Sequence, residues 1–150
     1  MGRARIILML VGLCVHPIAS RAQTLAAPPV ATKRQYTGLT AEEATAVIEK
    51  LEDAQRKLRA REFQSFQLLA GANASSDQVK QSPRDAFLSV PFQKVWHIRR
   101  VPTDNRLWQP YQLAYAPNGL GQLYWDIEVV LSFNGNIERV LMTYKAPAPF

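Results

Sequence analysis

The stretch Gln122–Lys145, QLYWDIEVVLSFNGNIERVLMTYK, decides the fold. On both sides of Asn134-Gly135 the residues alternate with a period of two, the spacing at which successive side chains leave opposite faces of a strand. Asn-Gly between two such runs predicts a hairpin with a two-residue type I′ turn, because both central residues of that turn need positive φ. With Phe133 opposite Asn136, the pairing then sets Val129 against Val140, Ile127 against Met142 and Trp125 against Tyr144. One face collects Trp125, Ile127, Val129, Leu131, Phe133, Val140, Met142 and Tyr144, and reads as the core face. The other carries Tyr124, Asp126, Glu128, Val130, Arg139, Leu141 and Thr143. A one-residue slip would exchange these two sets, so the pattern fixes the register.

Upstream, the same period begins after Phe92. Strands are predicted at 93–101, 107–116, 122–133 and 137–145. Pro110 lacks the N–H that a central strand needs, so the second strand is expected at an edge or starting after it. Before these strands lies a helix at roughly 41–60. Thr40 with Glu43 three residues on reads as a capping box, in which each side chain satisfies the other residue's free N–H. Ala44, Val47, Ile48, Leu51, Ala54 and Leu58 follow at helical spacing and form one apolar stripe. Glu52–Arg56 and Asp53–Lys57 are acid-first i,i+4 pairs on the opposite side. Residues 62–70 fit either a continued helix or a strand, and Gly71 favours a short strand or a break. Ser82-Pro83-Arg84-Asp85 opens a second, short helix with a cap, proline at the first position and an acid at the third, and Pro91 stops it. The expected architecture is α+β: one long N-terminal helix and a short helix packed on a four-stranded antiparallel meander.

The ends of the chain speak to its location. Arg3 and Arg5 precede an apolar run, Ile6–Val15, and Ser20-Arg21-Ala22 fits a cleavage site before Gln23. Ten apolar residues at ~1.5 Å each span ~15 Å, half of a ~30 Å hydrocarbon core, so the run reads as a signal peptide and not as an anchor. Residues 1–22 are therefore expected to leave, residues 23–38 with Pro28-Pro29 to form a flexible leader, residues 39–145 to form one domain, and residues 146–150 an extended tail. Cys14 is the single cysteine of the chain. It is preceded by Leu13 and not by a small residue, which argues against lipidation. Without the signal the chain has no thiol and no disulfide, which points away from a small secreted animal domain and towards the bacterial periplasm. Asn73-Ala74-Ser75 is then a chance sequon. The full chain carries a net charge of +6, but with Arg3, Arg5 and Arg21 removed 15 basic residues face 12 acidic ones. A balance of +3 gives no case for nucleic acid.

Chemistry-bearing patterns are sparse. Asp126 and Glu128 share a sheet face, as an acid/base pair or as solvated partners of Arg139. His97 is the one histidine outside the signal; with no cysteine and with Arg99 beside it, it does not make a zinc site. No serine sits in a nucleophile elbow, and Gly119-Leu120-Gly121 lacks the helix and third glycine of a dinucleotide loop. No cofactor or metal is expected. Aromatic residues and arginine are more suggestive. Trp96, Arg99, Trp108, Tyr111, Tyr115 and Tyr124 fall within thirty residues, a composition favoured at binding hot spots; alternating core and cross-strand pairs would give the same composition. The expected partner is an envelope protein or, alternatively, a small apolar ligand held between helix and sheet. An enzyme acting through Asp126 or Glu128 is the third reading.

Gly71, Ser76-Asp77-Gln78-Val79, Val95-Trp96-His97-Ile98 and Val129-Val130-Leu131-Ser132-Phe133-Asn134-Gly135 together resemble the SmpA/OmlA family over about residues 71–143. Those are small envelope proteins that support outer-membrane barrel assembly. The resemblance implies an accessory, non-catalytic role in the envelope. The family's lipid-bearing cysteine has no counterpart here, and no functional residue is carried over.

Overall fold

A computed structural model describes residues 33–62, 64–71 and 82–146. The expected signal peptide, most of the expected leader, the Asn73-Ala74-Ser75 sequence, the 76–79 segment and the tail after Ala146 lie outside them.

The long helix forms as its pattern dictates. It is α1, Ala41–Arg59, preceded by β1, Gln35–Thr37. Thr40 caps it by accepting from the Glu43 N–H at 3.2 Å. The reciprocal half of the expected capping box is absent, because the Glu43 carboxylate turns inward and accepts from the Tyr111 hydroxyl at 2.6 Å. The apolar stripe is buried as expected, and Gln55 is buried with it. Of the two expected ion pairs Asp53–Lys57 forms at 2.8 Å. Arg56 also turns to Asp53, and Glu52 instead accepts from Gln93 at 3.0 Å.

After β2, Gln67–Ala70, comes α2, Pro83–Ser89, capped by Ser82 as its sequence requires. A 3-10 turn at Phe92–Lys94 leads into β3, His97–Arg100. Then follow β4, Trp108–Tyr115, β5, Tyr124–Ser132, and β6, Ile137–Lys145. The four antiparallel strands expected from the sequence, β3 to β6, are consecutive neighbours. They are not the whole sheet. The order is β1-β3-β4-β5-β6-β2, six strands, with β1 parallel to β3 and β2 parallel to β6. The expected four-stranded antiparallel meander is thus corrected to a six-stranded mixed sheet. Both added strands are edges of three and four residues, and all three residues of β1 are exposed. So short and exposed a strand shows no alternation in sequence. Beyond its pairing with β3, β1 is held by a backbone bond, Gln35 N–H to Trp96 O at 2.8 Å, and by the Arg34 guanidinium. That group donates to the carbonyls of Val95 at 2.9 Å and Gln93 at 2.6 Å.

The hairpin register is as read: Val129 opposes Val140, Ile127 opposes Met142 and Trp125 opposes Tyr144. The turn is not. Gly135 has φ 82°, but among the described residues only Arg61 is a non-glycine with positive φ, so Asn134 is not in a type I′ turn. Gly135 N–H bonds Ser132 O at 2.8 Å, and the register shifts between Val130 and Leu131 so that Leu131 meets Ile137. This is a type I turn with a glycine bulge, the three-residue alternative for the same dipeptide. The extra residue pushes Phe133 off the core face, where it is 78% exposed.

Pro110 also departs from expectation. It lies inside β4, which has neighbours on both sides. Its carbonyl accepts from the Val101 N–H at 3.0 Å. The return bond, which proline cannot make, is replaced by the Gln109 side chain, whose Nε2 donates to Val101 O at 3.0 Å. The helix stripe packs on one sheet face, over Leu113, Ile127, Val129, Val140 and Met142. Phe87 and Phe92, with ring centroids 5.5 Å apart, fill the end of this core. Gln55 ties the two helices together by donating to the carbonyls of Phe87 at 2.7 Å and Val90 at 2.8 Å.

Candidate functional site

Strand alternation sends the other half of the side chains to the opposite face of the sheet. No described helix covers that face, since the apolar faces of both helices are spent on the core. The six residues singled out by composition divide between the two sides. Arg99, Trp108 and Tyr124 lie on the open face, by their pairing with Gln112, Ser132 and Lys145. Tyr111 and Tyr115 do not. Tyr111 is buried in the core, and Tyr115 packs against it. Trp96 precedes β3 and is half-buried; its ring stacks on His97 with centroids 5.5 Å apart, and its Nε1 is buried without a described partner. The surface the composition suggested therefore holds half of the residues it suggested.

A polar band crosses the middle of the open face. Arg99 donates to the Gln112 side-chain oxygen. Gln112 Nε2 donates to both carboxylate oxygens of Asp126, at 2.8 and 3.0 Å, and Lys145 closes on Asp126 from β6. Asp126 is buried at 8% exposure. Glu128 pairs with its diagonal neighbour Arg139 at 2.7 Å. Both carboxylates of the sequence pair are thus engaged by cations. The hydrogen bond to Asp126 raises the Lys145 pKa above its ordinary value, which keeps that ammonium charged. At the β1 edge, Thr37 and His97 are hydrogen-bonded at 3.0 Å. Partial burial, and then the Arg99 charge, lower the His97 pKa, so the ring is neutral at physiological pH and supplies no cation. Among the described residues no group of three or more His, Cys, Asp or Glu is placed to hold a metal ion. No described helix is long and apolar enough to cross a membrane.

Towards the hairpin end the band gives way to a groove of about 570 Å³. Trp108, Pro110 and Val130 form its apolar floor, Val101 and Thr103 one wall, and Glu128, Glu138 and Arg139 the other. Trp108 is 54% exposed. The loop that positions it is stapled internally: Thr103 Oγ1 accepts from Asn105 N–H at 3.1 Å, and Asn105 Oδ1 from Leu107 N–H at 2.9 Å. That loop is tied to the hairpin by Phe133 N–H to Leu107 O at 2.8 Å. Leu107, Trp108 and Phe133, three large apolar side chains more than half exposed, therefore stand together at one end of the sheet. Of the groove residues the sequence reading singled out Trp108 as a binder. Pro110 was the available signal for the rest, because a proline tolerated inside a strand marks a place where the ladder is locally interrupted.

A second cleft, of about 520 Å³, lies where α1 meets the β5–β6 hairpin. Ala54, Leu58, Phe66 and Ile137 form its apolar side, and Lys50 and Lys57 reach over it. No family model, curated protein or solved structure matches the chain.

Proposed function

We propose that this is a non-catalytic binding protein of the bacterial periplasm that engages another envelope protein through the open face of its sheet. The observation that carries the reading is Trp108, held half-exposed by a stapled loop over Pro110 and Val130. Keeping a tryptophan in water is unfavourable, and a rigid anchor loses little conformational freedom on binding, which is the character of a hot spot. The pairing of Asp126 with Lys145 and of Glu128 with Arg139 favours recognition over acid/base chemistry. The signal-like N-terminus and the resemblance to SmpA/OmlA proteins motivate the compartment and the class of partner. The test is an affinity capture of the protein from envelope extract, with Trp108→Ala in parallel. A stoichiometric protein retained by the native chain and lost by the variant is the expected result. Equal retention by both sinks the reading.

The rival is a small-ligand carrier. The space between helix stripe and sheet is filled by the core, so the ligand would take the cleft lined by Ala54, Leu58, Phe66 and Ile137, where Glu49, Asp53 and Glu62 balance Lys50 and Lys57 and a neutral apolar ligand fits. A thermal shift with medium-chain fatty alcohols, abolished in Phe66→Asp, would favour it.

A further inference from the structure

We infer that the occupant of the open-face groove is an extended, proline-containing peptide segment carrying a basic residue; this rests on the protein-binding reading above. Three observations select that chemistry. The groove lies on the sheet face, over Trp108, Pro110 and Val130 of the inner strands β4 and β5, so a peptide seated there contacts side chains and does not extend the ladder. An extended proline-containing segment needs no ladder partners, and it packs its rings on aromatic side chains. Trp108 offers such a surface beside Pro110, and its indole N–H, which makes no hydrogen bond to a described residue, can donate to a ligand carbonyl. The charge is the third observation. Without the expected signal peptide the chain still carries a net +3, yet the groove is lined by two carboxylates, Glu128 and Glu138, against one guanidinium, Arg139. Arg139 is taken by Glu128, while Glu138 is exposed and makes no ion pair with a described residue. It is the group left to meet a lysine or arginine of the segment.

The experiment titrates the purified chain with three acetylated nine-residue peptides built from proline, leucine and alanine. They end in two arginines, in two glutamates or in neither, and intrinsic tryptophan fluorescence and calorimetry are the readouts. The arginine peptide is expected to saturate and to bind at least about fivefold more tightly than the glutamate peptide, the size of a ~1 kcal/mol charge contact. Glu138→Lys should reverse that order, and Trp108→Ala should abolish binding of all three while leaving the thermal midpoint within a few degrees. Equal affinity for the three peptides, an order unchanged in Glu138→Lys, or binding that survives Trp108→Ala overturns the inference. So does retention on phosphatidylcholine–phosphatidylglycerol vesicles with no response to any peptide, which would assign Leu107, Trp108 and Phe133 to a lipid surface. If envelope capture depends on Trp108 but no peptide binds, the peptide chemistry fails and the protein-binding reading stands.

Discussion

Replacing Tyr111 by phenylalanine tests whether Glu43, in the first turn of α1, holds the helix to the sheet. Tyr111 Oη donates to Glu43 at 2.6 Å, and Arg100 stands 3.6 Å from the same carboxylate. A hydrogen bond to a charged acceptor contributes ~1.5–3 kcal/mol. The Glu43 side chain is 28% exposed, so we take the lower end, about 1.5 kcal/mol at neutral pH. The same contact sets a pH dependence. Burial, then the hydrogen bond to Glu43, push the Tyr111 hydroxyl up to about 12, whereas an unfolded tyrosine titrates near ~10. A folded pKa above the unfolded one gives stability that is complete below the lower value and disappears as pH rises through the higher one. Two pK units are worth at most ~2.7 kcal/mol, and screening at a partly exposed carboxylate reduces this to about 1–2 kcal/mol. Urea unfolding of the native chain and Tyr111→Phe, at several pH values between about 7 and 12, separates the two. Phenylalanine does not titrate, so other groups cancel in the difference. The expected difference is about 1.5 kcal/mol up to pH ~10, shrinking towards zero by pH ~12. No difference at neutral pH, or one that does not change with pH, would refute the reasoning.

Gln55→Leu removes the side-chain donor to the carbonyls of Phe87 and Val90, of which Phe87 O keeps the Val90 N–H at 3.4 Å, and should cost about 1–3 kcal/mol in urea unfolding. Gln109→Leu should cost about 1 kcal/mol, and adding Pro110→Ala should recover most of it by restoring a backbone N–H to Val101 O; a double-mutant cycle with no coupling would contradict this. A Cβ on Gly71 would fall on Thr143 Oγ1 inside contact distance, so Gly71→Ala should destabilise by about 1–3 kcal/mol and Gly71→Ala/Thr143→Ala by clearly less, both read as thermal midpoints. Phe133→Ser should leave stability within about 0.5 kcal/mol, because the bulge puts the ring in solvent; a loss of about 3 kcal/mol or more would return it to the core.

The sequence by itself determined what repeats locally. The stripe from Ala44 to Leu58 dictated α1, the Ser82-Pro83 start dictated α2, and alternation around Asn134-Gly135 dictated the pairing of Val129 with Val140. Those signals survive in one dimension because a buried face must be apolar at the period of its element. Tertiary structure decided the rest. A three-residue edge strand of exposed side chains has no period; β1 is set by distant partners, the edge of β3 with Trp96 O, and the carbonyls of Gln93 and Val95 that accept from Arg34. Asn-Gly serves two turns, and the one formed, closed by Gly135 N–H to Ser132 O, takes Phe133 out of the core. Pro110 entered a central strand because Gln109 replaces the missing donor, a contact between side chain and distant backbone that no local pattern encodes. The site shows the same division. Aromatic content marked Trp108 and Tyr111 alike, but only strand pairing sends one to the open face and the other to Glu43 in the core.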